Sequence, residues 1–158
     1  MDVFSHGLWG YGLFGQRGLG WLALLFGMAP DLVSFGVLTI VKLIDGTYQF
    51  GKPDLAMIPA WAFIAYDCSH SLIVACLAII IVWYFNKNVA FAMLAWVFHI
   101  LLDIPFHSKE FFPTKFLWPL SEFSFDGTSW ATPWIWFPNI AGLIILYIFI
   151  YRRKIHEI

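Results

Sequence analysis

The chain has 158 residues, of which 61% are hydrophobic, 20% aromatic and only 12% charged, and its formal net charge is −1. Soluble domains are nearer half apolar and a quarter charged, so this composition excludes an ordinary soluble domain and indicates an integral membrane protein. The length is sufficient for about four spans but not for two large domains. We therefore predict one all-α domain over residues 1–158, a polytopic transmembrane helical bundle. The small net charge gives no indication of nucleic-acid binding.

The first apolar region extends from Leu8 to Ile44 and is interrupted twice. The polar segment Gln16-Arg17-Gly18 follows a glycine-rich start, and Pro30 disfavours helix at the residue before it. We predict a broken, glycine-rich N-terminal helical region, with one helix over Leu19–Met28 and a new helix from Pro30 to about Ile44. The amino terminus lacks a basic segment before its apolar run, so a cleavable signal peptide is not expected.

Three further spans are predicted, and polar or aromatic segments separate them: Leu55–Phe85, Val89–Phe106 and Trp134–Tyr151. The basic cluster Arg152-Arg153-Lys154 follows the last span. Because basic residues favour the cytoplasmic side, we expect a multi-pass protein of the inner (plasma) membrane with both termini in the cytoplasm. Three tryptophans near the last span fit an interfacial aromatic belt: Trp130, Trp134 and Trp136.

Five ionisable residues fall inside these apolar spans: Asp31, Asp67, His70, His99 and Asp103. A charged group at the centre of a span costs roughly 2.5–3.5 kcal/mol on insertion scales. His99 and Asp103 are four residues apart and therefore project from one helix face. Counted along their helices, Asp31 and His70 lie at similar depth, with the His99–Asp103 pair close by. These side chains are therefore predicted to converge on one polar pocket.

Each of these residues also has a purely structural explanation. Asp31 can accept a backbone N–H in the first turn of a helix that begins at Pro30, and His70 can bond to a neighbouring group. His99 and Asp103 can satisfy each other while joining two helices. Several costly groups at similar depth favour a shared cation instead. Two imidazoles and two carboxylates suit Zn²⁺ best, with Mn²⁺ or Fe²⁺ next, rather than Ca²⁺ or Mg²⁺.

Short motifs around these residues, and their order, resemble a known family. Ser5-His6-Gly7-Leu8 looks like the family's Thr-His-Ala-Leu, and the other matching segments are Ala29-Pro30-Asp31-Leu32, Ser69-His70-Ser71, His99-Ile100-Leu101-Leu102-Asp103 and Phe116-Leu117-Trp118-Pro119-Leu120-Ser121. The family is that of small membrane-bound, predicted metal-dependent hydrolases of bacteria and archaea. One bacterial member is described as a LexA-regulated inner-membrane protein. The family has a distant likeness to the zinc-dependent phospholipase C and nuclease group.

This resemblance implies a metal site that activates water, with His6, Asp31, His70, His99 and Asp103 as ligands. The chain departs from the family pattern at two places. Val33 stands where a second Asp is common, and Ala65-Tyr66 stand where His-Arg often precede the Thr-His-Ser element. The missing Arg would be a natural phosphate clamp. Asp67, three residues before His70 on the same face, can partly compensate, so a single-metal or degenerate site is expected.

The sequence thus predicts a membrane-embedded metal-dependent hydrolase that acts on a lipid or phosphoester substrate through metal-activated water. Asp103 or Asp67 is the candidate general base or ligand-orienting carboxylate. The alternative is a non-enzymatic metal-binding or proton-relay membrane protein, and a small carrier of this kind would need to oligomerise. Haem held by His70 and His99 is a third reading, which the nearby carboxylates disfavour. His107 is a secondary candidate, four residues beyond Asp103 but past Pro105.

Overall fold

The computed structural model describes residues 1–51 and 53–156, and this part of the chain is helical without β-strands. Within these described residues, seven α-helices follow one another: α1 Val3–Phe14, α2 Gly20–Asp31, α3 Val37–Ile44, α4 Ala60–Ser69, α5 Leu72–Phe85, α6 Lys87–Phe106 and α7 Pro133–His156. Short 3₁₀ turns lie at Gly15–Arg17 and Leu55–Met57, and a π-helical turn lies at Leu32–Gly36. The predicted all-helical class is confirmed.

In the part of the chain that the structure describes, three helical stretches are long and apolar enough to cross a membrane: Gly20–Ile44, Lys87–Phe106 and Pro133–Arg153. A fourth candidate consists of α4 and α5 together, which are bent by 56° at the break between them. The predicted span over Leu55–Phe85 corresponds to this bent pair, but the expectation that Asp67 and His70 share one helix face is wrong. His70 leaves the helical conformation, with φ −101° and ψ 19°, and the Ser71 hydroxyl caps α5 by accepting the N–H of Val74 at 3.2 Å.

The predicted helix break at Ala29-Pro30 is also wrong. Pro30 lies inside α2, and the chain continues through the π-helical turn into α3 as one candidate span. A proline removes one backbone donor and crowds the preceding turn, and a π turn is a recognised way to absorb such a disturbance. Asp31 therefore lies within a long helix, and the interpretation of Asp31 as a first-turn capping residue is wrong.

Helices α1 and α2 approach each other at backbone contact distance. A Cβ atom at Gly27 would lie 2.5 Å from the carbonyl oxygen of His6, and one at Gly10 would lie 2.6 Å from that of Ala23. Such approach is open only to glycine. Ala23 also packs with Ala92 and Ala95 of α6. Small residues thus bring α1, α2 and α6 together tightly enough for their polar side chains to meet.

The segment between α6 and α7 folds back over the end of α6. The N–H groups of Gly127, Thr128 and Trp130 donate to the carbonyls of His107, Pro105 and Phe106 at 2.9, 3.0 and 3.2 Å. The same segment reaches the break between α4 and α5, where its Phe116 carbonyl accepts the N–H of Leu72 at 2.9 Å. The connection therefore binds backbone groups that the two helix ends leave free.

Candidate metal centre

Four buried residues from three separate parts of the bundle form a group that could hold a metal ion: Asp31, His70, His99 and Asp103. One ligand atom from each lies within 4.8 Å of all the others, and none of the four residues is more than 4% exposed. Asp31 comes from α2, His70 from the break between α4 and α5, and the other two from α6. The structure thus brings together the four residues predicted to converge.

Backbone carbonyls fix the orientation of both imidazole rings. His99 Nδ1 lies 2.7 Å from the Gly27 carbonyl oxygen, and His70 Nδ1 lies 3.1 Å from the Tyr66 carbonyl oxygen. Because a carbonyl only accepts, each Nδ1 carries the proton and donates it, so Nε2 of each ring faces the group and can bind a cation whenever it is unprotonated. Metal-binding histidines in proteins are commonly oriented in this way, by a carbonyl that accepts the proton of the other ring nitrogen.

The separations among three of the facing atoms match the edges of a tetrahedral metal site, and the fourth atom lies further out. The two Nε2 atoms are 3.1 Å apart, and Asp103 Oδ2 lies 3.2 Å from that of His99 and 3.4 Å from that of His70. Asp31 Oδ1 is further away, at 3.6 Å from His70 Nε2 and 3.9 Å from His99 Nε2. Four ligands about 2.0–2.1 Å from Zn²⁺ in a tetrahedron would lie about 3.3 Å from one another.

Asp103 presents its two oxygens to different neighbours. Among the described residues, Oδ2 faces the two Nε2 atoms without a hydrogen-bond donor. Oδ1 receives the other contacts: the Met1 amino group at 2.6 Å, His6 Nε2 at 3.0 Å and His107 Nε2 at 3.6 Å. The carboxylate is therefore held on one side by donors and leaves its other oxygen for a cation.

His6 lies beside the four-residue group but is not one of its members. Its ring stacks on that of His99 with centroids 3.6 Å apart, and its Nε2 faces Asp103. Burial lowers the pKa of His6 to about 4, and nearby His99 adds to that lowering. A neutral ring that donates from Nε2 keeps a lone pair on Nδ1, which has no partner among the described residues. The role of His6 as a ligand stays a prediction.

Tyr66 and His107 form a second layer that the sequence did not single out as a unit. Tyr66 stacks on His70 with centroids 3.8 Å apart, and its hydroxyl lies 2.8 Å from His107 Nδ1 and 3.1 Å from Thr114 Oγ1. The Phe112 carbonyl, 3.1 Å from His107 Nδ1, is presented by a residue with φ +48°. Burial lowers the pKa of His107, which favours its neutral form.

The candidate general base Asp67 lies apart from this group. Its Oδ2 binds Lys115 Nζ at 3.0 Å, and both side chains are partly exposed. The helix spacing of three residues between Asp67 and His70 predicted a shared face, but α4 ends at Ser69 and His70 turns away from the helical path. Asp67 as a catalytic carboxylate therefore stays a prediction, and the geometry gives it a different partner.

A cavity of about 690 Å³ adjoins the group. Two polar site residues, Asp31 and His107, lie in its wall, together with a set of apolar side chains: Phe4, Phe35, Phe106, Phe111 and Trp130. Asp31 is the member of the four-residue group that lines this cavity, and it is also the one with the longest separations from the imidazoles. A molecule in the cavity would therefore meet the group at Asp31.

Comparisons of the chain with protein-family models, with curated proteins and with solved structures found no match. The resemblance to membrane-bound metal-dependent hydrolases therefore stays a prediction from short motifs. The four-residue group, in contrast, is a property of the folded chain.

Proposed function

We propose that this protein is a membrane-embedded, metal-dependent hydrolase of lipid or phosphoester substrates. The observation that carries the proposal is the convergence of two imidazole Nε2 atoms and two carboxylates, in which the Nε2 atoms and Asp103 Oδ2 lie at separations that match a tetrahedral site. Two lone pairs 3.1 Å apart repel each other unless a proton or a metal ion lies between them. Four donors of this kind favour the metal, with Zn²⁺ preferred over Mn²⁺ or Fe²⁺.

The buried charge supports the same conclusion. Asp31 and Asp103 are almost completely buried, and both face the Nε2 atoms of His70 and His99. Two buried carboxylates are costly without positive charge nearby, which protons on the Nε2 atoms or a divalent cation would supply in addition to the Met1 amino group. A divalent ion would offset this cost and use every facing atom.

The protein residues have separable roles in the proposed reaction. His70, His99 and Asp103 hold the ion, and carbonyls of Tyr66 and Gly27 keep the imidazoles in the binding orientation. When bound, the ion supplies Lewis acidity and lowers the pKa of a coordinated water toward about 7. Asp31, in the cavity wall, is placed to accept a proton from water that enters there.

The membrane assignment is supported by the apolar helices. The described chain has three helices long and apolar enough to span a bilayer, or four if α4 and α5 form one bent span. Large apolar side chains are exposed along them, such as Trp134 at 88% and Ile145 at 67%. In a bilayer this apolar surface would contact lipid chains instead of water, so its exposure would carry no hydrophobic cost.

A non-enzymatic metal site is the second candidate, and one observation favours it. Four protein ligands complete a tetrahedral shell, as in structural zinc sites, whereas catalytic zinc keeps a position for water. The hydrolase proposal therefore requires Asp31, the most distant of the four, to give way to water. Metal binding without hydrolysis would favour the structural role.

The test combines metal analysis with hydrolysis assays on the purified full chain. We expect about one transition-metal ion per chain, and metal-dependent hydrolysis of a lipid ester or phosphoester in mixed micelles. Asp31→Asn is the informative variant, because it should retain metal yet lose at least 100-fold in rate. Wild-type protein that binds metal stoichiometrically but cleaves neither substrate class would contradict the hydrolase. Protein that binds no metal would contradict both candidates.

A further inference from the structure

We propose that the 690 Å³ cavity binds the long acyl chain of a membrane lipid and places the lipid's ester group beside Asp31. This inference rests on the proposed function for the reaction, but the binding of the chain is a separate property. It names the substrate class as acyl lipids, rather than water-soluble phosphoesters.

The lining of the cavity selects an apolar occupant. Nine of its fifteen lining residues are apolar and five are polar, and the volume lies within the range of small-molecule sites, about 300–1,000 Å³. A polar occupant such as a peptide or sugar would bury many donors and acceptors, each of which needs a partner. One of the polar lining groups, the Asp2 carboxylate, is already bound to Ser5 Oγ at 2.6 Å. An acyl chain brings no such groups.

The polar residues of the cavity lie where a lipid ester would need them. Asp31 belongs to the candidate metal group, and His107 Nε2 lies 3.6 Å from Asp103 Oδ1 in that group. A lipid with a polar end and an apolar end matches a cavity that has Asp31 and His107 beside the metal group and aromatic side chains elsewhere in its wall. Its long chain would contact the aromatic wall while its ester faced the proposed metal.

The position of the cavity in the fold fits a lipid from the bilayer. Phe106 is the last residue of α6, and Trp130 and Ala131 precede the first turn of α7. Both helices are candidate spans, so the cavity adjoins two points where the chain would leave the apolar layer. A bilayer lipid could reach it without crossing bulk water.

Photo-crosslinking tests the binding without depending on hydrolysis. The probes are monoacylglycerol and lysophospholipid analogues with a diazirine near the chain end, added to the metal-free full chain in nanodiscs. We expect crosslinks in segments 3–4, 106–111 and 129–131, competed by unlabelled long-chain lipid but not by short-chain ester. The two probes distinguish a neutral from a phosphate-bearing head group.

Two tryptophan variants provide the matched comparison. Ala131→Trp places a large ring in the cavity wall, whereas Thr128→Trp changes a neighbouring exposed residue outside that wall. Ala131→Trp should reduce the crosslinks at least fivefold, and Thr128→Trp should leave them within twofold. Crosslinks confined to the outer surface of α7, unchanged by Ala131→Trp, would overturn the inference. Specific lipid binding with no metal-dependent cleavage would support acyl-chain binding in the cavity and refute the hydrolase. Cleavage of soluble esters without lipid binding would support the hydrolase and refute acyl-chain binding.

Discussion

Helices α6 and α7 look alike in composition but differ in what they contribute. Both are long and apolar enough to span a membrane, yet 39% of the most apolar 18-residue stretch of α6 is buried, compared with 11% for α7. Helix α6 carries His99 and Asp103 into the candidate metal centre, whereas the one buried polar side chain described on α7, Asn139, bonds to Trp9 and Ser5 of α1. Hydropathy alone would not separate the two helices.

The difference shows that the costly residues, rather than the apolar ones, identify the central helix. An apolar side chain has a similar free energy against lipid and against protein, but a carboxylate needs polar or charged partners in either environment. Asp103 has them on α1 and at the α4–α5 break, and small residues of α6 let α2 come close. If this is correct, equivalent changes in α6 and α7 should have very different effects.

The largest difference is expected for an isoleucine on each helix. Ile100 of α6 is completely buried, whereas Ile145 of α7 is 67% exposed. Ile100→Ala should lower the free energy of unfolding by about 2–5 kcal/mol through the cavity that it leaves. Ile145→Ala should change it by no more than about 0.5 kcal/mol. Denaturant unfolding in one detergent measures both, and equal losses would show that α7 is as embedded as α6.

The next largest effect is expected at the metal centre. Asp103→Asn removes the charged oxygen that faces both imidazoles, so metal affinity should fall at least 100-fold, or about 2.7 kcal/mol. Titration with Zn²⁺ under a competing chelator measures the affinity. A loss smaller than threefold would remove Asp103 from the proposed site.

A glycine pair on the α2–α3 helix tests how the site is positioned. A Cβ at Gly27 would meet the His6 backbone, whereas one at Gly36 would meet its nearest neighbour, Leu32, at an ordinary 3.4 Å. Gly27→Ala should therefore cost about 1–3 kcal/mol of stability and weaken metal binding, because the Gly27 carbonyl also orients His99. Gly36→Ala should leave metal affinity unchanged. Thermal unfolding with and without Zn²⁺ reports both quantities, and identical behaviour of the two variants would refute the positioning role.

The smallest effect is expected for Asp67→Asn. The ion pair with Lys115 is partly exposed, so its loss should cost no more than about 1 kcal/mol and leave metal affinity within twofold. Its hydrolytic rate should also stay within twofold if Asp31 is the proton acceptor. A rate loss of 100-fold with metal retained would instead restore Asp67 as the general base.

The residues of the site could be predicted because each is chemically out of place in an apolar span. Asp31, His70, His99 and Asp103 all meet in the structure as their depth suggested. The backbone around two of them could not be predicted. The π-helical turn that carries the chain past Pro30, and the bend at His70, depend on tertiary partners such as the Phe116 carbonyl, which lies 44 residues further along the chain from Leu72. Local propensity contains no information on such partners.

Second-layer contacts were missed for a related reason. The carbonyls of Gly27 and Tyr66 orient the two imidazoles, but a backbone carbonyl leaves no mark in the sequence. Gly27 offered one indirect signal, since a glycine inside an apolar helix indicates close approach of another backbone. Tyr66 is four residues before His70, a spacing that brings side chains together at the end of a helix, and the two rings stack in the structure.

The central claim is that His70, His99 and Asp103 hold one metal ion with Asp31 beside it, and X-ray absorption at the metal edge tests it most directly. The account predicts one ion per chain, with four nitrogen and oxygen ligands at about 2.0–2.1 Å and multiple-scattering features of two imidazoles. His99→Ala should remove one imidazole from that spectrum. A substoichiometric ion, or a stoichiometric one without imidazole ligands, would contradict the account.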